Sequence, residues 1–326
     1  MKFSEGEIID LDIKSLAYGG MGISYYNDMV VFVRGGIPGE KLKAKISKRK
    51  KNYLEAYPVE KIRKSKKSVD PPCEHFGICG GCLFQNLDYK EQLNQKYIQV
   101  KDLFTRIGGI QTLPINKIVG CKNQYNYRNK MEFSYSSNRW IQNLGEKSTL
   151  DNLNALGLHV RGRYDKIADI NECHINGNLS NKIFKSLKNI LSNQKIEPFN
   201  AKNKTGFLRN IIIREGHSTS QILINLITTS SNTKILSPIV KILTDEFLEI
   251  KSIINTIVKP NSGSLMSEKE EILWGEDYIS ENIGQYLYKI SSNSFFQTNS
   301  IQAKVLYDLI IKICEFYHKA KTTSKD

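Results

Sequence analysis

From Glu5 to Arg63 apolar and polar residues alternate in short runs, GEIIDLDIK, GISYY, MVVFV, KLKAKISK and NYLEAYPVEKI, broken by turn signals at YGGMG, YND, RGGIPG and KRKKN. A period of two over such lengths predicts β-strands. Five short strands at this spacing predict an OB-like β-barrel, an architecture that often takes oligonucleotides. Within Lys41–Lys48 the alternation places Leu42, Ala44 and Ile46 on one face and Lys41, Lys43, Lys45 and Ser47 on the other. One face packs while the other presents charge to solvent. Gly19, Gly20 and Gly22 lack the spacing of a dinucleotide-binding loop and precede no helical pattern, so they read as a tight turn.

The period then changes. After the linker IRKSKKSVDPP, Tyr89, Leu93, Tyr97, Val100, Phe104 and Ile107 recur at intervals of three and four. Asp88 and Glu91 supply a capping-box start and Gly108-Gly109 a stop, which predicts a helix over 88–107 with an apolar stripe. Strand patterns return in YRNKMEFSYSS and ALGLHVRG, and again in FLRNIIIREG, SQILINLITT and IKSIINTIV. Helices are predicted near 181–192 and 234–248, two or three more strands follow up to Ser291, and 294–319 turns from loop into a long amphipathic helix. The text implies a mixed sheet with helices on one face. The fold class is therefore α+β and multidomain. Residues 1–63 form the barrel, 64–87 with 110–290 a central mixed α/β domain, and 88–109 with 291–326 elements that pack with, or begin, a further domain. No repeat or low-complexity tract interrupts this plan.

Composition narrows the function. At 326 residues and 40% hydrophobic the chain can bury a substantial core. The opening MKFSEGEIIDLDIK lacks an apolar run after positive charge, and no stretch reaches eighteen apolar residues. Neither a signal peptide nor a membrane span is expected, which points to the cytoplasm, where thiols stay reduced. The net charge of +14 suits a polyanionic partner. A chain rich in Lys, Asn and Ile reaches such a total through composition bias too, so the distribution carries more. Between Lys41 and Lys67 stand twelve Lys or Arg against two Glu, with Tyr53 and Tyr57 interleaved. That stripe favours nucleic acid.

In 73-CEHFGICGGC-82 three cysteines are spaced C-x5-C-x2-C. In a reducing compartment such clusters are ligands rather than disulfide partners. A fourth thiol has to come from Cys121, Cys173 or Cys314. Cys314 sits in an apolar helical pattern and is expected to pack as a small hydrophobe, and Cys121 has no partner nearby in sequence. Cys173, in DINECHI, falls in a loop where a side chain can be aimed at a site. Four cysteines suit zinc and an iron–sulfur cluster equally by ligand type. The single close pair, Cys79 and Cys82, and the pliable GICGGC backbone favour the cluster. His75 and His174 are expected beside the ligands, not among them.

Five motifs occur in order: C-x5-C-G-x-C-x-x-Q (Cys73, Cys79, Gly80, Cys82, Gln85), Y-x-x-Q-L-x-x-K (Tyr89 to Lys96), Y-R-N-K (Tyr127 to Lys130), D-I-x-x-C-H (Asp169 to His174) and S-F-F-Q-T-N (Ser294 to Asn299). Together they resemble the RNA (uracil-5-)-methyltransferases, most closely the 23S ribosomal RNA branch that carries an N-terminal TRAM domain. The resemblance covers the whole chain. It implies that Cys73, Cys79, Cys82 and Cys173 hold a [4Fe–4S] cluster and that residues 1–63 are a TRAM barrel docking RNA, with Lys41, Lys43 and Lys45 on its basic face. It further implies that Arg128, Asn129 and Lys130 lie near the substrate, that Gln297 touches S-adenosyl-L-methionine, and that Phe295 lies beside a flipped base. A monomer is the expected state.

Uracil C5 is too weak a nucleophile to take a methyl group directly. A cysteine thiolate must add at C6 first, a base must later remove the C5 proton, and the target base must leave its stack. The donor needs a Rossmann-like domain opening on a glycine-rich turn. The family's D-L-Y-C-G-x-G and S-C-N-P motifs are absent from this sequence. No catalytic residue is therefore assigned, the nucleophile and general base being expected beyond residue 326, and the chain is expected to be a C-terminally truncated enzyme, inactive alone, in which that domain has only begun. The alternative is a non-catalytic iron–sulfur RNA-binding module. A radical S-adenosylmethionine enzyme is disfavoured, because its C-x3-C-x2-C signature does not match the x5 spacing here.

Overall fold

The computed structural model describes residues 4–112, 114–142, 153–262 and 269–323. The chain divides into two compact units, Met1–Gly120 and Cys121–Asp326.

In the first unit six strands form one sheet: β1 (Ile8–Asp12), β2 (Ser15–Leu16), β3 (Gly22–Tyr26), β4 (Met29–Val33), β5 (Lys41–Arg49) and β6 (Tyr53–Arg63), in the order β1-β5-β6-β4-β3-β2. The extra strand over the five expected is the two-residue β2, which leads into the glycine turn. Gly19 and Gly20 there take φ of +86° and +82°, a conformation side chains disfavour. Alternation does what the sequence predicted, with Leu42, Ala44 and Ile46 buried among Ile9, Leu11, Val31, Val33 and Leu54 while the intervening lysines stay outside.

The predicted helix begins as expected and packs otherwise. α1 (Tyr89–Asp102) is capped by Asp88, whose carboxylate accepts from the amides of Lys90 and Glu91, and it runs on into a π-helical turn, Leu103–Ile107. Its buried residues are Glu91 and Gln95, not the apolar stripe, and Leu103, Phe104 and Ile107 remain exposed. The reason is the unpaired backbone around β2. Gln95 accepts from the Leu16 amide at 3.0 Å, and Gln99 donates to the carbonyls of Leu16 and Ala17 at 3.1 and 3.2 Å. Glu91 does not turn back to its cap but pairs with Lys67 at 2.8 Å. Leu87 packs with Leu16 and Ile37, so residues 64–109 lie within the first unit.

The second unit is built on a seven-stranded mixed sheet. Its strands are β7 (Lys130–Ser136), β8 (Ala155–Val160), β9 (Arg163–Asp169), β10 (Leu208–Gly216), β11 (Gln221–Thr228), β12 (Ile250–Ile257) and β13 (Lys269–Gly275), in the order β13-β12-β11-β10-β7-β8-β9. Helices α2 (Asn178–Asn193) and α3 (Thr233–Glu246) match the two expected, α3 making the crossover between the parallel pair β11 and β12. A separate hairpin, β14 (Tyr278–Ile283) and β15 (Tyr286–Ser291), precedes the last helix, α4 (Ser300–Thr323).

Register assigns the faces. Phe133 lies opposite Ile211, which lies opposite Leu226, and on that face the Phe133 ring meets Phe184 of α2 at 4.3 Å. Leu223, three residues from Leu226, points the other way. There, with Ile254, it receives Ile279 and Ile290 of the hairpin and Phe296 beyond it. The hairpin thereby delivers the 291–299 loop to the sheet face that carries Lys130 and Arg214. Close approach also governs β8: a Cβ on Gly157 would stand 2.0 Å from the Ala168 carbonyl oxygen. No helix among the described residues is long and apolar enough to cross a membrane.

Candidate functional site

Three of the five motifs come together in the second unit. The segment entering β7 runs alongside 174–176: the Asn126 amide donates to the His174 carbonyl at 2.9 Å and the Arg128 amide to that of Ile175 at 2.8 Å. This places Y-R-N-K beside D-I-x-x-C-H. Asn129 then ties the same strand to S-F-F-Q-T-N. Its amide donates to the Thr298 carbonyl at 2.9 Å, its side-chain amide to the Gln297 carbonyl at 3.0 Å, and its own carbonyl accepts from Glu215 at 2.9 Å. A buried Asn with these partners is a clamp. Its side chain is engaged in holding the loop.

Arg214 holds the other end of the loop. The guanidinium donates to the Ser292 carbonyl at 3.0 Å and to that of Ser294 at 2.6 Å. With both ends held, Phe295 is left 88% exposed at the apex and Gln297 is half-buried beside the clamp. Asn299 accepts from the Gln302 amide to start α4 and donates to the Cys121 sulfur at 3.4 Å. Cys121 therefore adjoins this loop, although nothing near it in sequence suggested a partner. Arg214 was also overlooked; the available signal was a cation placed directly after the apolar run Ile211–Ile213 of FLRNIIIREG.

Lys130 lies directly opposite Arg214 in the antiparallel pair of β7 and β10. Burial, then the charges of Arg214 and Arg128, lower the Lys130 pKa, and burial lowers that of Arg214. Arg128 turns its Nε to the Lys130 carbonyl at 3.0 Å. The result is a concentration of positive charge on the strands that hold the loop carrying Phe295.

In the first unit Cys73, Cys79 and Cys82 lie within electrostatic reach of one another. Burial raises the Cys73 and Cys79 thiols, and the neighbouring Cys82 sulfur adds to the shift of both. The Gly81 amide donates to the Cys79 sulfur at 3.4 Å, as it would to a thiolate ligand. The donor chemistry fits a thiophilic metal or cluster, a cation being what would relieve this mutual repulsion. Yet no group of three or more His, Cys, Asp or Glu among the described residues stands ready to close on a metal ion. Cys173 belongs to the second unit, buried, with its amide donating to Asn181 and its carbonyl accepting from the same side chain, both at 3.0 Å. His174 pairs with Glu172 at 3.3 Å, and Cys314 is exposed on α4 rather than packed.

The basic stripe is less bare than its sequence. Lys41 and Lys43 lie opposite Asp12 and Asp10 of β1, and Lys43 pairs with Glu60 at 3.3 Å. Lys45 lies between Ile8 and Tyr57, free of acidic cross-strand partners. Acidic residues distant in sequence temper the first two lysines and leave the third.

Residues 2–59 match the TRAM domain model. Along the rest of the chain the likeness is to RNA methyltransferases. An uncharacterized RNA methyltransferase of Chlorobaculum tepidum is 30% identical over 96% of this chain, and one of Bacteroides thetaiotaomicron 32% over 90%. The crystal structure of the Pyrococcus abyssi tRNA (uracil-54, C5)-methyltransferase in complex with S-adenosyl-L-homocysteine covers 94% of the chain with a TM-score of 0.68 at 27% identity. The chain spans 66% of the length of each of the two relatives and 64% of that solved structure.

Proposed function

We propose that this protein takes part in transferring a methyl group from S-adenosyl-L-methionine to C5 of a uridine in RNA. The observation that carries the reading is the Asn129 clamp, which joins the Y-R-N-K strand to the S-F-F-Q-T-N loop across 168 residues and so brings the loop bearing the exposed Phe295 to the strand of Arg128 and Lys130. An exposed aromatic ring together with cations is what an unstacked base and its flanking backbone require. Gln297, fixed through its carbonyl, is assigned to the methyl donor. The TRAM barrel adds Lys41, Lys43 and Lys45 as backbone contacts, Lys45 foremost. Similarity to named RNA methyltransferases along nearly the whole chain supports the same chemistry.

Cys73, Cys79, Cys82 and Cys173 are assigned to a [4Fe–4S] cluster, with no reaction step routed through it. The nucleophile that adds at C6 and the base that removes the C5 proton are assigned to no residue of this chain. The resemblance to the TRAM-bearing branch favours 23S ribosomal RNA over transfer RNA, and a cytoplasmic monomer as the acting form. Nucleoside mass spectrometry of both RNAs, from cells with and without the gene, tests the reading. Loss of one 5-methyluridine from 23S RNA is expected. Loss from transfer RNA alone would move the substrate, and no change in either would overturn the assignment.

A further inference from the structure

Lysine and arginine directly opposite one another on paired strands repel, and strands ordinarily avoid the arrangement. Lys130 and Arg214 adopt it; Glu132, two residues along β7, offsets part of the repulsion at Lys130 through space without pairing with it. Among the described residues the Lys130 ammonium makes no hydrogen bond or ion pair, and Arg214 makes no ion pair. Arg214 is 3% exposed, and its Nε has neither a partner nor access to water. Retaining a buried charge in this state costs stability unless something supplies the missing counter-charge. The contrast lies in the same unit, where Arg139 and Lys188, lining a cavity of about 440 Å³, are both held by Asp169 at 3.1 and 3.0 Å. There the charges are matched internally. At Lys130 they are not.

We propose that Lys130, backed by the buried charge of Arg214 and flanked by Arg128, seats a phosphodiester of the RNA strand next to the target uridine. This rests on the reading of the site as one that binds RNA. Lys130 is half-buried, not enclosed, and a lysine serves phosphate as a point charge. Arg214 is too enclosed to touch the strand. It is a positioning residue, holding the Ser292 and Ser294 carbonyls while its charge raises the field at Lys130. Phe295 beside this seat gives the pairing of aromatic face and backbone cation on which single-strand recognition is built.

The test measures binding of a uridine-containing single-stranded RNA oligonucleotide by the full chain across a salt series, with Lys130→Gln and Lys130→Arg beside the unaltered protein. Lys130→Gln should reduce the slope of log affinity against log salt by about 0.7, the value for one phosphate contact on a single strand, and Lys130→Arg should restore it. Its thermal midpoint should stay the same or rise, since a repulsive pair has been removed; a fall would mark Lys130 as structural and overturn the proposal. An unchanged slope with RNA binding intact would overturn the seat alone. Absence of RNA binding by the unaltered chain would overturn the RNA reading with it. Weakened S-adenosyl-L-methionine binding in Lys130→Gln, with the RNA slope unmoved, would reassign the anion to the cofactor carboxylate and refute the phosphodiester.

Discussion

Thiols that burial and a neighbouring sulfur push to higher pKa, as at Cys73 and Cys79, stay protonated at neutral pH until a cation displaces the proton. Metal binding there must release protons, so affinity falls as pH falls through the raised thiol pKa values. Anaerobic purification should yield a coloured protein with about four irons per chain if the site holds a [4Fe–4S] cluster. A chelator should strip it faster at about pH 6 than at about pH 8, by the same proton linkage. A colourless protein with one zinc would refute the cluster. At this scale the sequence showed that Cys73, Cys79 and Cys82 are neighbours, since thiols within ten residues cannot be far apart. It overlooked Arg214 and the clamp at Asn129, because a backbone carbonyl as partner leaves no signature in side-chain text.

Helix α1 shows where periodicity stops being informative. Its boundaries followed from Asp88 and the 3.6-residue repeat, which are local properties. Its packing followed from the backbone groups of Leu16 and Ala17, some eighty residues away, which needed polar partners. Gln95→Ala should therefore cost more than truncating an apolar neighbour on the exposed side. It leaves the Leu16 amide without its partner in a buried setting and takes one of two donors from a Glu91 oxygen, a loss of about 1–3 kcal/mol. A urea midpoint for the first unit equal to that of the unaltered chain would rule the anchor out. The strands of both sheets were readable because each buries alternate residues, and β10 and β11, buried on both faces, were still marked by their β-branched runs.

Across the molecule, the division at Gly120 differs from the one that composition suggested. The basic linker IRKSKKSVDPP reads as a boundary, yet the chain on its far side returns to the barrel: Leu87 packs with Leu16 and Ile37, and Lys67 pairs with Glu91. Residues 114–120 belong to no helix or strand, and Lys117 within them is exposed. Brief trypsin treatment should cut at Lys117 before it cuts within β5 or β6, giving one piece ending at 117 and one beginning at 118. First cleavage in the linker after Arg63 would restore the earlier boundary. The charge of +14 survives as a whole-molecule property, while its distribution is reshaped by Asp10, Asp12 and Glu60 beside the lysine stripe.

Local alternation and capping chemistry were enough to set out the strands, the helices and the lysine stripe of β5. These depend on residues close in sequence, where geometry leaves few choices. The meeting of Y-R-N-K with S-F-F-Q-T-N, the clamp at Asn129 and the cross-strand pair of Lys130 and Arg214 emerged only in three dimensions. They arise from strand register and hairpin docking between segments as much as 168 residues apart, and no local pattern encodes which side chains such pairing will set face to face.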